Sequence, residues 1–250
     1  MAGASRKPAL VAYLMAGDPS LPQSRAYARA LQGVADVVEI GVPFSDPVAD
    51  GPVIQRAATR SLAVGTTPQD ALDLVRDLRA DGFAPPVLLM TYYNLFFRAG
   101  LENFVRRAAD AGADGFVVPD LPLEESRPLR AVAREKGLSL VLLASPASDD
   151  ARIASIAKAT GGFLYLVSAY GVTGVRGDLP TETLDLVKRA KAAAGRTPLA
   201  VGFGVSKPEH VSALAGAGAD AVVVGSAIVE RIERGEPPER VAEFVRSLRG

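Results

Sequence analysis

The stretch Gly112-Ala113-Asp114-Gly115-Phe116-Val117 reads as the end of one helix running straight into a buried strand, and the chain repeats it. Gly33-Val34-Ala35-Asp36-Val37-Val38 and Gly218-Ala219-Asp220-Ala221-Val222-Val223 follow the same pattern. In each, a helix-ending glycine precedes a short apolar run, as a helix-to-strand turn requires. Working outward from these three, strand-like runs alternate with helix-like runs over the whole length. Strands are expected at 9–14, 37–40, 86–91, 115–118, 138–143, 162–167, 199–203 and 221–224. Amphipathic helical segments are expected between them, among them 68–78, 101–111, 124–135, 149–159, 182–194 and 208–216. Eight strand–helix units in a chain of 250 residues make a closed (β/α)8 TIM barrel. A doubly wound open sheet is the alternative, and the even spacing to the end of the chain argues against it. No linker or low-complexity stretch divides the sequence, so residues 1–250 read as one barrel domain.

Composition sets outer limits. The chain is 48% hydrophobic and 22% charged, enough for one large core. Net charge is zero and the pI about 6.6, so no electrostatic footprint for nucleic acid or an anionic membrane is present. Cysteine is absent, which removes disulfides, thiolate metal sites and cysteine nucleophiles together and fits a reducing cytosol. Arg6-Lys7 followed by the apolar stretch 8–16 faintly resembles a signal peptide, but it runs through Tyr13 into Gly17-Asp18-Pro19 and reads as an inner strand. No other apolar stretch is long enough to span a bilayer. A cytoplasmic protein without nucleic-acid or membrane partners is expected.

The second strand carries the most informative residue. Asp36-Val37-Val38-Glu39-Ile40-Gly41-Val42 is a buried run with a carboxylate inside it. Desolvation there favours the neutral form and lifts the pKa toward a range where the group can both give and take a proton. The loop that follows, Pro43-Phe44-Ser45-Asp46-Pro47-Val48-Ala49-Asp50-Gly51-Pro52, is stiffened by three prolines and holds Asp50 beyond the strand end. A plainer reading makes Glu39 a core carboxylate paired with an arginine and Asp50 a helix N-cap.

In a barrel, chemistry sits at the C-terminal ends of the strands. Glu39 and Asp50 fall there for the second strand. Glycine-bearing sites fall there late in the chain: Gly171-Val172-Thr173-Gly174 after the sixth strand, Gly202-Phe203-Gly204-Val205-Ser206 at the seventh, and Gly225-Ser226 at the eighth. Ser226 also opens an apolar-periodic helix over 227–232, whose first N–H groups make an anion site. The three together point to phosphate, a recurring ligand of these barrel loops.

Other motifs are silent. Ser155-Ile156-Ala157-Lys158 lies within an outer helix, and Gly202-Phe203-Gly204 lacks the third glycine of a dinucleotide fingerprint, Lys207 standing in its place. His210 is the sole histidine and opens an outer helix, so a histidine-ligated metal or an imidazole-dependent isomerase lacks its parts; no metal is expected. No lysine lies in an inner strand for a Schiff base. Proton transfer by carboxylates on a phosphorylated small molecule remains.

The block Glu39-Ile40-Gly41-Val42-Pro43-Phe44-Ser45-Asp46-Pro47-Val48-Ala49-Asp50-Gly51-Pro52 resembles the signature of tryptophan synthase α subunits. The resemblance continues through Leu14-Met15-Ala16-Gly17-Asp18-Pro19, the loop 118–126, Tyr165-Leu166-Val167-Ser168, Gly171 to Gly174, Gly202 to Ser206 and Gly225 to Val229. It implies cleavage of indole-3-glycerol phosphate to indole and glyceraldehyde 3-phosphate. It implies Glu39 as the acid/base, Asp50 as the group facing the indole N–H, and Tyr13, Met90 and Phe203 as the apolar slot. Tyr165 corresponds to an active-site tyrosine and Thr173 to a residue of a mobile sixth loop that fixes Asp50 on closure; Gly174, Gly204, Gly225 and Ser226 correspond to the phosphate site. The implied partner is a tryptophan synthase β subunit in a heterotetramer of two α and two β subunits. Pyridoxal phosphate would be expected in that β subunit and no cofactor in this chain. The family often carries a helix before the first strand that plugs the barrel floor, and only a short segment precedes Ala9 here. A free-standing indole-glycerol-phosphate lyase and a non-catalytic regulatory barrel are the alternative functions.

Overall fold

The computed structural model describes residues 7–167 and 179–250. Eight parallel strands close into a barrel in sequence order, with the first paired to the last. The first half comprises β1 (Ala9–Met15), α1 (Leu21–Ala30), β2 (Val37–Gly41), α2 (Pro52–Ala63), α3 (Pro68–Ala80), β3 (Val87–Met90), α4 (Tyr93–Ala99), α5 (Leu101–Ala111) and β4 (Gly115–Val117). The second comprises α6 (Arg127–Glu135), β5 (Ser139–Ala144), α7 (Asp150–Ala159), β6 (Leu164–Val167), α8 (Thr181–Ala194), β7 (Leu199–Gly202), α9 (Pro208–Gly216), β8 (Ala221–Val224), α10 (Ser226–Glu233) and α11 (Pro238–Ser247). Every strand expected from sequence is present to within a few residues. The helical pattern at 124–135 divides into a short 3-10 turn, Leu123–Glu125, and α6, because Pro128 sets the first helical turn of a new helix.

The repeated glycine–aspartate turn has a physical basis in both residues. Gly33, Gly112 and Gly218 take φ of 71°, 89° and 107°, a left-handed backbone that a side chain would strain. The aspartates then tie the new strand to its neighbour. Asp36, Asp114 and Asp220 each donate their backbone N–H to Leu10, Val87 and Leu199 at 2.8–2.9 Å. Their carboxylates accept the N–H of the same three residues at 2.7–2.8 Å. Arg249, Arg79 and Lys191 complete the three sites as counter-ions. The repeat therefore satisfies the N–H groups at the starts of strands, which would otherwise lie unpaired.

Alternation along the strands sorts the side chains into two sets. One set packs outward against the helices in the main core; the other fills the barrel with Val11, Val37, Leu88, Val117, Val141, Phe163, Ala200, Ala221 and Val223. Above these layers the inward positions become Tyr13, Glu39, Met90, Tyr165, Gly202 and Gly225. The site is thus a continuation of the inward-facing register rather than a separate structure. Among the described residues no helix is long and apolar enough to cross a membrane.

Candidate active site

Glu39 sits in the middle of β2 with 1% of its surface exposed, and neither carboxylate oxygen has a hydrogen-bond partner among the described residues. Among the described residues no arginine reaches it, and the plainer reading of a paired core carboxylate finds no partner there. Burial, and secondarily the negative charge of Asp50, push its pKa up to about 8. Asp50 follows the two-residue turn Val48-Ala49 after Pro47 and lines the same cavity. Nor is it the N-cap of α2: Gly51 occupies that position, without a side-chain bond. Burial raises the pKa of Asp50 to about 6, opposed by a hydrogen bond from Tyr92. At neutral pH the pair therefore carries one proton, held on Glu39, with Asp50 ionised. Two like charges so close are separated in pKa by their environments, the usual signature of an acid and a base with distinct tasks.

The cavity around them is lined by Tyr13, Met90, Val117, Leu143 and Val167 on its apolar sides. Tyr13 and Tyr165 are both held neutral, their phenol pKa values raised by burial first and by the two carboxylates second. Two glycines make room for these rings: a side chain at Gly41 would overlap the Tyr13 hydroxyl, and one at Gly202 would crowd the Tyr165 ring at 2.9 Å. The far wall is Gly204, Gly225 and Ser226. Gly225 caps α10, and the N–H groups of Ile228 and Val229 turn back to its carbonyl. Those of Ser226 and Ala227 have no acceptor within the helix, which leaves a positively polarised edge at the cavity.

Of the residues expected from sequence, Tyr13, Glu39, Asp50, Met90, Tyr165, Gly204, Gly225 and Ser226 come together around one cavity. Phe203 does not line it. Gly202 is the inward position at the end of β7, so the next residue points away, and Phe203 packs half-buried against the outer core instead. Thr173 and Gly174, with the rest of 168–178, lie outside the described residues.

Tyr92 is the residue that sequence reading missed. Its hydroxyl accepts the Ala49 N–H at 3.1 Å and contacts the Asp50 carboxylate, while its ring stacks on Phe44 at 5.1 Å. It thereby pins both ends of the loop that carries Asp50. Phe44 is consumed in this stack; Val48, 78% exposed, is the apolar side chain that the loop presents to solvent. Tyr92 is held in turn by Asp120, which accepts the N–H of Tyr93 at 2.9 Å at the start of α4. The only signal was the Tyr92-Tyr93 pair, separated from the end of β3 by Thr91 alone, where a barrel places working residues.

A further network ties the two halves of the site. Arg60 of α2 holds the buried Asp18 at 2.8 Å through two nitrogens and also reaches Glu233 of α10, which Arg56 grips as well. The helix behind Asp50 is thus fastened to the helix that offers the anion site.

The chain's relatives accord with this geometry. A family model described as tryptophan synthase alpha chain matches residues 1–248. The chain belongs to the tryptophan synthase alpha chain family. The family protein of Pyrococcus abyssi is 44% identical, the match covering 98% of this chain and 99% of that one. That of Trichormus variabilis is also 44% identical over 96% of this chain and 91% of its own. The tryptophan synthase A-subunit structure from Pyrococcus furiosus superposes with a TM-score of 0.89 at 42% identity, covering 96% and 97% of the two chains. A chain of the tryptophan synthase complex from the same organism gives 0.87 at 41%, covering 96% of each.

Family membership does not remove the energetic cost of Glu39. In the unfolded chain the group titrates near 4.5 and in the fold near 8. Between those values the folded state retains a proton that the unfolded state has released, so stability falls as pH rises through the window and levels off above it. Asp50 adds a loss of the same sign between 3.8 and about 6. Glu39→Gln keeps the shape and removes the ionisation. It is expected to melt higher than the parent at pH 9, with the gap closing as pH falls toward 4.5. Thermal melts across that range check this; a less stable variant at pH 9 would mean that the fold prefers the anion.

Proposed function

We propose that the chain cleaves indole-3-glycerol phosphate to indole and glyceraldehyde 3-phosphate. The observation that carries this reading is Glu39: a protonated carboxyl, without a hydrogen-bond partner among the described residues, on the wall of an apolar cavity that has an anion site at its far end. Breaking the bond between the indole ring and the glycerol chain needs the ring carbon protonated and the neighbouring hydroxyl deprotonated. Protonated Glu39 supplies the first proton. The ring nitrogen then carries positive charge, which the ionised Asp50 stabilises. The carboxylate left on Glu39 takes the hydroxyl proton as the carbonyl forms, and the electrons of the broken bond restore the aromatic ring. One proton leaves Glu39 and one returns, so the reaction draws on no group outside this site.

Phosphate at the Ser226 edge anchors the glycerol end and sets the distance to Glu39. Tyr13, Met90, Tyr165 and Leu143 exclude water from the indole, which strengthens both charge interactions. Thr173 and Gly174 are assigned by the resemblance to a loop that closes on Asp50 and the phosphate.

The partner is a β subunit, to which indole passes, and the pyridoxal phosphate of the combined reaction belongs there. The surface that fits is the loop around Val48 together with Phe97 of α4, which is 81% exposed. Val48 stands two residues before Asp50 in the loop that Tyr92 holds through Ala49, and Phe97 lies in α4, which begins just after Tyr92, so a protein docked there bears on the position of Asp50. A misplacement of about 1 Å costs a hundredfold in rate. Purified chain is expected to release indole from indole-3-glycerol phosphate slowly alone and about ten- to a hundredfold faster with saturating β subunit, as ordering of that kind provides. Full activity alone, unchanged by β subunit, favours a free-standing lyase; no indole under either condition refutes the proposal.

A further inference from the structure

On the outer wall of the barrel, between α6 and α7, a groove of about 600 Å³ runs beside the start of β5. It shares no residue with the catalytic cavity. One side is built from Arg127, Arg130 and Arg134, and no acidic side chain lines it. At 100° per residue, positions i, i+3 and i+7 fall within about 60° of one another, so the three guanidinium groups share one helix face over a rise of about 10 Å.

This arrangement works against the helix that bears it. Many arginines elsewhere on the surface are matched with carboxylates, as in the pairs from Arg25, Arg29, Arg56, Arg152 and Arg240, while Arg98, Arg196 and Arg246 form no such pair among the described residues but do not share one helix face. The three on α6 have no carboxylate partner among the described residues, and Arg130 is partly buried in that state. Like charges at these spacings destabilise a helix. Arg127 also stands in the first turn, where the helix dipole disfavours a cation. Only Arg134, in the last turn, is placed where the backbone favours it. The floor opposite is Leu138, Leu140 and Ala159, with the partly exposed Ser139 between the two leucines.

We propose that this groove binds a polyphosphate group, free or carried by a small organic molecule. Three guanidinium groups spaced along one face match a chain of phosphates better than a single one, since each can take its own pair of oxygens. The apolar floor accommodates a flat or aliphatic body attached to that chain, and the volume lies within the range of small-ligand sites. The inference is independent of the reaction assigned to Glu39.

Calorimetry on the intact chain at low ionic strength tests it, with tripolyphosphate and adenosine triphosphate as probes. Saturable one-to-one binding is expected, weakened at least tenfold in R127Q/R130Q/R134Q. The matched control is R98Q/R196Q/R246Q, which removes the same charge from arginines outside the groove and is expected to bind as the parent does. Tighter binding of adenosine triphosphate than of tripolyphosphate supports an organic ligand on the leucine floor; equal affinity supports polyphosphate alone. Absence of saturable binding overturns the proposal, as does binding unchanged in R127Q/R130Q/R134Q or equally weakened in the control. Should the triple variant fail to fold, R130Q decides, with a threefold or greater weakening expected and unchanged affinity overturning the proposal.

Discussion

Glu39→Gln is expected to lower the rate of indole release by a factor of at least about 10² to 10⁴, while the fold and the affinity for glycerol phosphate stay close to those of the parent. The size follows from the dual task. One carboxyl group delivers the proton to the ring carbon and removes the one from the hydroxyl, and the amide can do neither. The fold should survive because the carboxyl makes no hydrogen bond among the described residues that the amide would break. Steady-state indole formation, with phosphate-ligand affinity measured in parallel, separates the two effects. Retention of more than about a tenth of the parent rate, against the hundredfold that acid–base catalysis is worth, would remove Glu39 from the mechanism.

Gly225→Asp is expected to abolish productive phosphate binding without unfolding the barrel. Among the described residues the nearest atoms to a Cβ at Gly225 belong to Tyr13, at 3.6 Å or more, and φ there is −113°, so a side chain fits both the space and the backbone. What changes is charge: a carboxylate would stand beside the free N–H groups at the start of α10. Two like charges about 4 Å apart repel by about 4 kcal/mol at an effective dielectric of 20, close to a thousandfold in affinity. Gly225→Ala separates bulk from charge and should retain most of the binding. Calorimetry with glycerol 3-phosphate reads both; equal affinity in the parent and Gly225→Asp would place the phosphate elsewhere.

The barrel was legible because burial on both faces makes each parallel strand a short apolar run, and because glycine marks where each helix stops. The aspartate in that turn was visible as a repeat, but its reason was not. Pairing of Asp36, Asp114 and Asp220 to neighbouring strands joins residues about twenty or more apart in sequence, which no local pattern encodes. Glu39 was legible for the opposite reason, as a charged residue in a place where local chemistry forbids one. Phe203 was misplaced because an aromatic next to a glycine at a strand end suits either face, and only the inward position of Gly202 decides between them. Tyr92 escaped because its role depends on a loop more than forty residues earlier in the chain. The phosphate edge was readable from Gly225-Ser226 before an apolar helix, since the free N–H groups at a helix start are a property of the backbone alone.

The direct test of the account is the titration of Glu39 itself. With the side-chain carboxyl carbons of glutamate labelled with carbon-13, the resonance that disappears in Glu39→Gln identifies the group, and its chemical shift can be followed from pH 4 to pH 10. A midpoint near 8, moving down when Asp50→Asn removes the neighbouring charge, is the predicted result. A midpoint near 4.5, the value of an ordinary glutamate, would show an anion at neutral pH and contradict the role of Glu39 as proton donor.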